Sequence, residues 1–176
     1  MPQSAHSIED QLMRRAARGD STALERLYAI TSPDLYAYLT RLSRHEDQAR
    51  DLLQTTFLNA WRSRAQFTGK GVRQWLFVIA RNAYLSVVRQ PRPELDNAPE
   101  AAAPVTPGQA FQLLDLTDRL ESALAKLPED TREAIVLSRF SSLSIADIAQ
   151  VIGASEGNVR VRIHRGLARL KVLLEE

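Results

Sequence analysis

Polar and basic side chains recur at helical spacing in the stretch SEGNVRVRIHRGLARL, which covers residues 155–170. Asn158, Arg162, Arg165 and Arg169 follow at steps of four, three and four and therefore share one face of a helix, with Arg160 in a row beside it. A guanidinium group offers a planar fork of donors that matches phosphate oxygens and the edge of guanine. For an isolated helix, this pattern is more typical of a solvated basic face, and binding of nucleic acid is favoured only when the residues just upstream are considered with it.

The opposite face of the same helix is apolar and is expected to be buried. A short helix precedes it in LSIADIAQVIGA, where Ser144 and Asp147 have the spacing of a capping pair and Gly153 suits the left-handed residue that ends a helix. Ser155 is expected to cap the second helix. Two helices joined by so tight a turn make a helix-turn-helix unit, whose second helix lies in the DNA major groove. The apolar stripe comprises Val159, Ile163, Leu167, Leu170 and Leu174.

Composition limits the class of protein that can carry this unit. The chain has 176 residues, a formal net charge of +2 and 44% hydrophobic residues, which suffices for one or two domains with packed cores. It has no cysteine, which excludes disulfides and cysteine metal sites and agrees with a reducing cytoplasm. No apolar run approaches the roughly 20 residues that span a bilayer, and the N-terminus lacks a signal pattern. We therefore expect a cytoplasmic protein without membrane insertion, metal or cofactor.

Proline divides the chain into two helical parts. Five of the eight prolines fall in PRPELDNAPEAAAPVTPGQA, a composition typical of an extended linker. No alternation typical of strands persists elsewhere, so the predicted fold is all-α, with two small helical domains that move independently. The predicted boundaries are residues 1–90 for a helical bundle, 91–110 for the flexible linker and 111–176 for the helix-turn-helix domain. Within the bundle, helices are expected from Ile8 to Arg18 and from Asp20 to an interruption at Pro33.

An enzymatic function is not indicated. The stretch RHEDQARD gathers His45, Glu46, Asp47 and Asp51, but zinc-protease spacing, a phosphate-binding loop and a nucleophile motif are all lacking in the sequence. These acids are interpreted as a solvated helix start, and we expect neither catalytic residues nor a metal site.

The two helical parts together resemble a known family, the bacterial sigma factors of the extracytoplasmic-function (ECF) group within the sigma-70 family. The run LPEDTREAIVLSRFSSLSIADIAQVIGASEGNVRVRIHRGLARL is similar to the family's second domain, which binds the −35 promoter element. The run DQARDLLQTTFLNAWRSRAQFTGKGVRQWLFVIARN is similar to its first domain, which binds the −10 element and the polymerase clamp. The resemblance implies a promoter-specificity subunit that binds core RNA polymerase and helps to open DNA.

The resemblance also implies which residues contact DNA. A base held out of the stack needs an aromatic surface, hydrogen-bond partners and a cationic rim, and the loop SRAQFTGKG with the next helix offers these residue types. Phe67 could equally be a core residue and Asn82 a surface amide. The implied contacts with the −10 element are Arg64, Phe67, Lys70, Arg73 and Asn82. Those with the −35 element are Ser155, Asn158, Arg160, Arg162, Arg165 and Arg169.

A third surface is expected to bind polymerase. By resemblance, Asp51, Gln54 and Phe57 dock on the clamp of the largest subunit, and the second domain docks on the flap of the second-largest subunit. Arg50 and Thr55 stand where family members usually carry glutamates, and Ser86 replaces a common aspartate. An anti-sigma factor is the further partner that the family implies.

Two other functions remain open at this point. A sigma-like decoy would sequester an anti-sigma factor without touching DNA, and the basic residues Arg160, Arg162 and Arg165 argue against it. A transcriptional regulator would use the helix-turn-helix unit alone, and the similarity of the first domain argues against that.

Overall fold

The computed structural model describes the backbone of residues 3–89 and 109–175, and the side chains of residues 8–89 and 117–175. Within those ranges every regular element is helical, which confirms the predicted all-α class. The predicted linker lies outside these ranges except for Gln109 and Ala110, which already belong to a helix. The elements are α1 (Gln3–Ala17), α2 (Ser21–Ser43), α3 (Glu46–Arg62), a 3-10 turn (Arg64–Gln66), α4 (Val72–Val88), α5 (Gln109–Ala125), α6 (Glu129–Phe140), α7 (Ile145–Ile152) and α8 (Glu156–Glu175).

Helix α2 is one continuous element, so the predicted interruption at Pro33 is wrong. Proline removes one backbone donor from a helix, but the apolar stripe on both sides of Pro33 is buried in the same core. Leu27 on one side and Leu35 on the other are both fully buried. The hydroxyl of Thr31 donates to the carbonyl oxygen of Leu27 at 2.8 Å. Burial of the whole stripe therefore outweighs the local preference of proline to end the helix.

Helices α1 to α4 form a bundle around large apolar side chains. The spacing of apolar residues predicts that the inner face of α3 comprises Leu52, Leu53, Thr56, Phe57 and Ala60, and the structure buries all five. The inner face that the spacing predicts for α4 comprises Trp75, Leu76, Ile79, Ala83 and Val87. Leu76 and Ala83 are buried as predicted, but the most deeply buried stripe is rotated by about one residue. Trp75 and Ile79 are half-buried, whereas Phe77 and Ala80 are fully buried. One side of α4 is fully buried and the neighbouring side is half-buried. Helix α4 therefore packs against other elements over more than one face.

Helix α1 holds the loop between α3 and α4. The two carboxylate oxygens of Asp10 accept from the backbone N–H groups of Gly71 at 3.2 Å and Val72 at 2.8 Å. Gly71, which precedes α4, has a φ of 72° and has no side chain to cap the helix. Arg14 donates to the carbonyl oxygen of Gly69 at 2.6 Å. A carboxylate from a distant helix therefore satisfies the first donors of α4 and positions the loop before it.

The two helical parts pack against each other in this structure, through contacts that the composition of the linker did not predict. Glu133 on α6 is buried between them and accepts from the Tyr38 hydroxyl at 2.9 Å and from Nε of Arg81 at 2.8 Å. One core of buried side chains runs from the bundle into α6, α7 and α8. The composition of a linker describes the linker alone, and the complementary faces on α2, α4, α6 and α7 decide whether the parts associate.

A second buried cluster ties α1, α2 and α4 to the end of α6. The guanidinium group of Arg73, only 7% exposed, pairs with the carboxylates of Glu9 and Asp34. It also donates to the carbonyl oxygen of Ser141 at 3.2 Å. A buried guanidinium group with this many partners holds these elements in fixed positions relative to one another.

We expect the free energy of unfolding to depend on Tyr38 at alkaline pH. Burial, reinforced by the charge of Glu133, raises the pKa of Tyr38 well above its ordinary value. The folded protein then keeps this proton where the unfolded chain loses it, so stability falls as pH rises above about 10. Tyr38→Phe should remove about 1.4 kcal/mol per pH unit from that slope. Urea unfolding between pH 8 and 11.5 measures it, and an identical slope in both proteins would contradict the assignment.

Candidate functional site

The helix-turn-helix unit has the local geometry that the sequence predicts. Ser144 and Asp147 form a complete capping box at the start of α7, and Gly153 ends α7 in the left-handed conformation with φ 68°. The hydroxyl oxygen of Ser155 accepts from the backbone N–H of Asn158 at 3.2 Å and so caps α8. Only Gly153, Ala154 and Ser155 separate the two helices, and this fixes the direction in which α8 leaves the turn.

Helix α8 lies close to α6 because of a glycine that the sequence analysis did not single out. Val159, Gly166 and Leu170 are its buried residues, and Ile163 and Leu167 are half-buried. A Cβ atom at Gly166 would lie 2.5 Å from Cδ1 of Ile135 and 2.5 Å from Cγ2 of Thr131. With a larger residue at this position the side chains of Ile135 and Thr131 would have to shift, so Gly166 favours the close approach of α8 to α6.

The basic face of α8 is accessible to a partner. Of the six residues predicted to contact the −35 element, Ser155, Asn158, Arg160, Arg165 and Arg169 are exposed.

Arg162 differs from the other five, because its side chain is only 25% exposed. It pairs with Asp130 of α6 at 3.2 Å and donates from Nε to Oδ1 of Asn158 at 3.0 Å. These contacts hold it at the edge of the basic face, against α6.

The residues predicted for the −10 element do not form one cluster. Arg64 turns back on α3, where it donates to the carbonyl oxygen of Trp61 at 2.8 Å with its guanidinium carbon 4.1 Å from the centre of the Trp61 ring. The Phe67 ring packs against Trp75 with 5.6 Å between centroids. Lys70 is exposed. Arg73 is the residue that the structure removes from this set, because burial among two carboxylates leaves it no free donor face toward DNA.

Asn82 lies apart from that loop, in an open groove along the end of α4. The groove has a volume of about 510 Å³. Arg81 and Arg89 lie at its two ends, and neither was among the residues predicted from the sequence to contact DNA. The lining residues are Arg81, Asn82, Leu85, Ser86 and Arg89.

The residues predicted to bind polymerase divide into two exposed and one buried. Asp51 and Gln54 are exposed on α3, whereas Phe57 is 8% exposed and packs on Tyr28 with 4.7 Å between ring centroids. Next to it lies an apolar hollow of about 250 Å³ formed by Leu24, Glu25, Tyr28 and Phe57.

Arg50, which stands where the family usually has an acid, pairs with two acids of its own helix. Its guanidinium group lies 3.3 Å from Glu46 and 2.9 Å from Asp47. These contacts leave Asp51 as an exposed acid further along the same helix.

Comparison with known proteins decides the family. Residues 27–93 match the family described as Sigma-70 region 2, and residues 117–170 match the family described as Sigma-70, region 4. RNA polymerase sigma factor CarQ of Myxococcus xanthus is 36% identical over 93% of this chain and 96% of its own length. ECF RNA polymerase sigma factor EcfG of Rhodopseudomonas palustris (strain TIE-1) is 35% identical over 81% of this chain and 80% of its own length. The chain belongs to the ECF sigma factors of the sigma-70 family.

Two solved structures superpose on most of this chain. CnrH in complex with the cytosolic domain of CnrY superposes with a TM-score of 0.76 at 29% identity, over 96% of this chain and 97% of that one. RpoE of Bartonella quintana in complex with the anti-sigma factor NepR gives 0.70 at 33% identity, over 86% and 96%. The curated relatives are sigma factors, which are regulatory subunits rather than enzymes. In the portion of the chain that the structure describes, no helix combines the length and apolar character needed to cross a membrane.

Gly166→Ala should destabilise the protein by about 1–3 kcal/mol, because overpacking forces α6 and α8 apart. Gly157→Ala is the matched control, since it adds the same methyl group to open space on the same helix. Urea unfolding of the two variants measures the difference, and equal stabilities would show that the α6–α8 contact does not depend on Gly166.

Proposed function

We propose that this chain is a promoter-specificity subunit that binds core RNA polymerase in the cytoplasm, recognises the −35 and −10 elements and helps to open DNA. The observation that carries this proposal is the exposed basic face of α8, on the second helix of a complete helix-turn-helix unit, in a chain that also has the region 2 bundle. A decoy has no need for such a face, and a simple regulator has no need for the bundle.

The −35 element is assigned to α8. The N-terminal residues of a recognition helix enter the major groove most deeply, so Asn158 and Arg160 are assigned to base edges or adjacent phosphates. Arg165 is assigned with them because it is exposed further along the same helix. Arg162 and Arg169 lie toward the edge of this face and are assigned to the phosphate backbone, where each contact adds affinity without sequence preference.

The −10 element is assigned to the groove along α4 together with the loop before it. Asn82 offers an amide between Arg81 and Arg89, and Phe67 and Lys70 offer an aromatic ring and a charge at the other end of α4. Because Phe67 is half-buried against Trp75, it can contribute one face of its ring to a flipped base only where the loop moves.

The polymerase contact is assigned to α3. Asp51 and Gln54 provide an exposed polar row for the clamp of the largest subunit. Phe57 supports that surface from below through its contact with Tyr28, so its part is to shape the apolar hollow. The region 4 part is assigned to the flap of the second-largest subunit on resemblance alone.

An anti-sigma factor is proposed as a further partner. CnrH and the Bartonella RpoE were solved in complex with CnrY and NepR, respectively. One superposition of CnrH covers nearly all of this chain, so the two helical parts have a similar relative placement in CnrH and in this chain. A partner that binds this arrangement would stabilise it against opening.

Opening is required because the packed arrangement is too short for the promoter. A compact chain of this length has a radius of gyration of about 16 Å and spans about 40 Å. The two promoter elements lie about 25 base pairs apart, which is about 85 Å of duplex. The two parts must therefore separate before both elements can be bound at once.

Run-off transcription with core polymerase across a genomic promoter library tests the proposed function. The complete chain should direct initiation from a subset of templates that share two elements. Asp51→Arg should abolish transcription and core binding, since it reverses the charge of the α3 surface that is proposed to bind the clamp. Asp118→Arg, a charge reversal at an exposed residue of α5, is the control and should retain both. Core binding without transcription would favour the decoy, and DNA binding without core binding would favour the regulator.

A crosslink between the two parts should abolish transcription. Gln74 on α4 donates to Gln150 on α7 at 2.7 Å, and the chain has no natural cysteine to interfere. The double variant Gln74→Cys/Gln150→Cys, joined by a short bis-maleimide, holds the parts together. Each single cysteine variant treated in the same way is the control and should transcribe normally. A crosslinked protein that still initiates from the selected promoter would contradict the need for separation.

A further inference from the structure

Gly157 lies in the first turn of α8, where no contact among the described residues requires a glycine. A Cβ atom there would meet no atom of those residues within 4 Å, in contrast to Gly166, and its φ is not in the left-handed region. Glycine inside a helix costs about 1 kcal/mol relative to alanine. Neither packing among the described residues nor backbone conformation accounts for this cost, and the glycine leaves open space beside the first turn of α8.

Val161 lies one turn later on the same side of the helix. Val159 between them is fully buried, and a step of two residues turns an α-helix by about 200°, so Gly157 and Val161 both face away from the core. Val161 is 45% exposed. A β-branched apolar side chain gains nothing from solvent and has lower helix propensity than alanine.

The neighbours of these two residues identify the partner chemistry. Asn158 and Arg165 are exposed on either side of Val161 along the helix, and both are hydrogen-bonding groups suited to base edges. The apolar group that a base presents in the major groove is the 5-methyl group of thymine, which favours contact with small apolar side chains. A protein partner would place one valine among charged groups, whereas the DNA groove offers an apolar methyl group among polar edges.

We infer that Val161 contacts the 5-methyl group of a thymine in the upstream element, and that Gly157 lets the backbone of α8 come close enough for this contact. The inference rests on the proposed function and adds two specificity-determining residues to it. Gly157 acts by the absence of a side chain and Val161 by its two methyl groups. Together they make the affinity depend on a base that the arginines do not distinguish.

Removal of a single methyl group from the DNA tests the proposed contact between Val161 and thymine. Holoenzyme made with the complete chain is titrated with the upstream element selected from the library, with each thymine of either strand replaced in turn by deoxyuridine. At one position the loss should be about four-fold, the value of one buried methyl group. Val161→Ala should bind the unmodified element more weakly and be insensitive to deoxyuridine at that position. Val172→Ala is the matched control, an equally exposed valine of the same helix that should keep the wild-type response.

Gly157→Ala should change the melting temperature and the affinity for DNA in opposite directions. The added methyl group should raise the melting temperature by about 2–4 °C, since alanine is the better helix former. The affinity for the same element should fall about five-fold or more, because the methyl group occupies the space into which the DNA fits. A purely structural role would move both quantities in the same direction.

The outcomes separate this inference from the proposed function. Sequence-specific binding that responds neither to deoxyuridine at any thymine nor to Val161→Ala overturns the contact with thymine and leaves the sigma function intact. Unchanged affinity in Gly157→Ala overturns the close approach. A holoenzyme that selects no upstream element overturns both the inference and the proposed function.

Discussion

The buried carboxylate of Glu133 is the constraint on which the arrangement of the molecule depends. It lies between the two helical parts, and its partners Tyr38 and Arg81 both belong to the opposite part. Leaving a buried charge without its partner costs about 3–5 kcal/mol, so the packed form tolerates few other relative placements. A core of apolar side chains supplies area for association, and the carboxylate with its two donors selects one alignment within that area.

Helix α4 connects this alignment to the surface assigned to DNA. Arg81 pairs with Glu133 and at the same time lines the groove that contains Asn82. At the other end of α4, Arg73 is buried with Glu9 and Asp34 and reaches the carbonyl oxygen of Ser141. Separation of the two parts would release Arg81 from Glu133 beside Asn82. The proposed opening of the molecule would therefore change the electrostatics of the −10 surface directly.

The surface of helix α8 lies in three different environments. One side is buried against α6 and α7, with Gly166 allowing the close approach. A flank is held by the ion pair between Arg162 and Asp130, which orients the helix as well as adding charge. The remaining side faces outward, with Gly157 and Val161 at its centre. The two glycines of this helix therefore differ, since contacts with α6 explain Gly166, whereas no contact among the described residues explains Gly157.

The sequence by itself determined the helical class, the capping box at Ser144 and the buried stripe of α8, since each depends on residues within a few positions of one another. It also determined the family, because motifs of both parts occur in order. Only the tertiary structure decided that Arg73 is buried, because its partners Glu9 and Asp34 lie 64 and 39 residues away in the sequence. The same holds for the continuity of α2 through Pro33 and for the association of the two parts. Helical periodicity identifies which side of a helix leaves solvent, but the identity of the surface that covers it depends on contacts between distant elements.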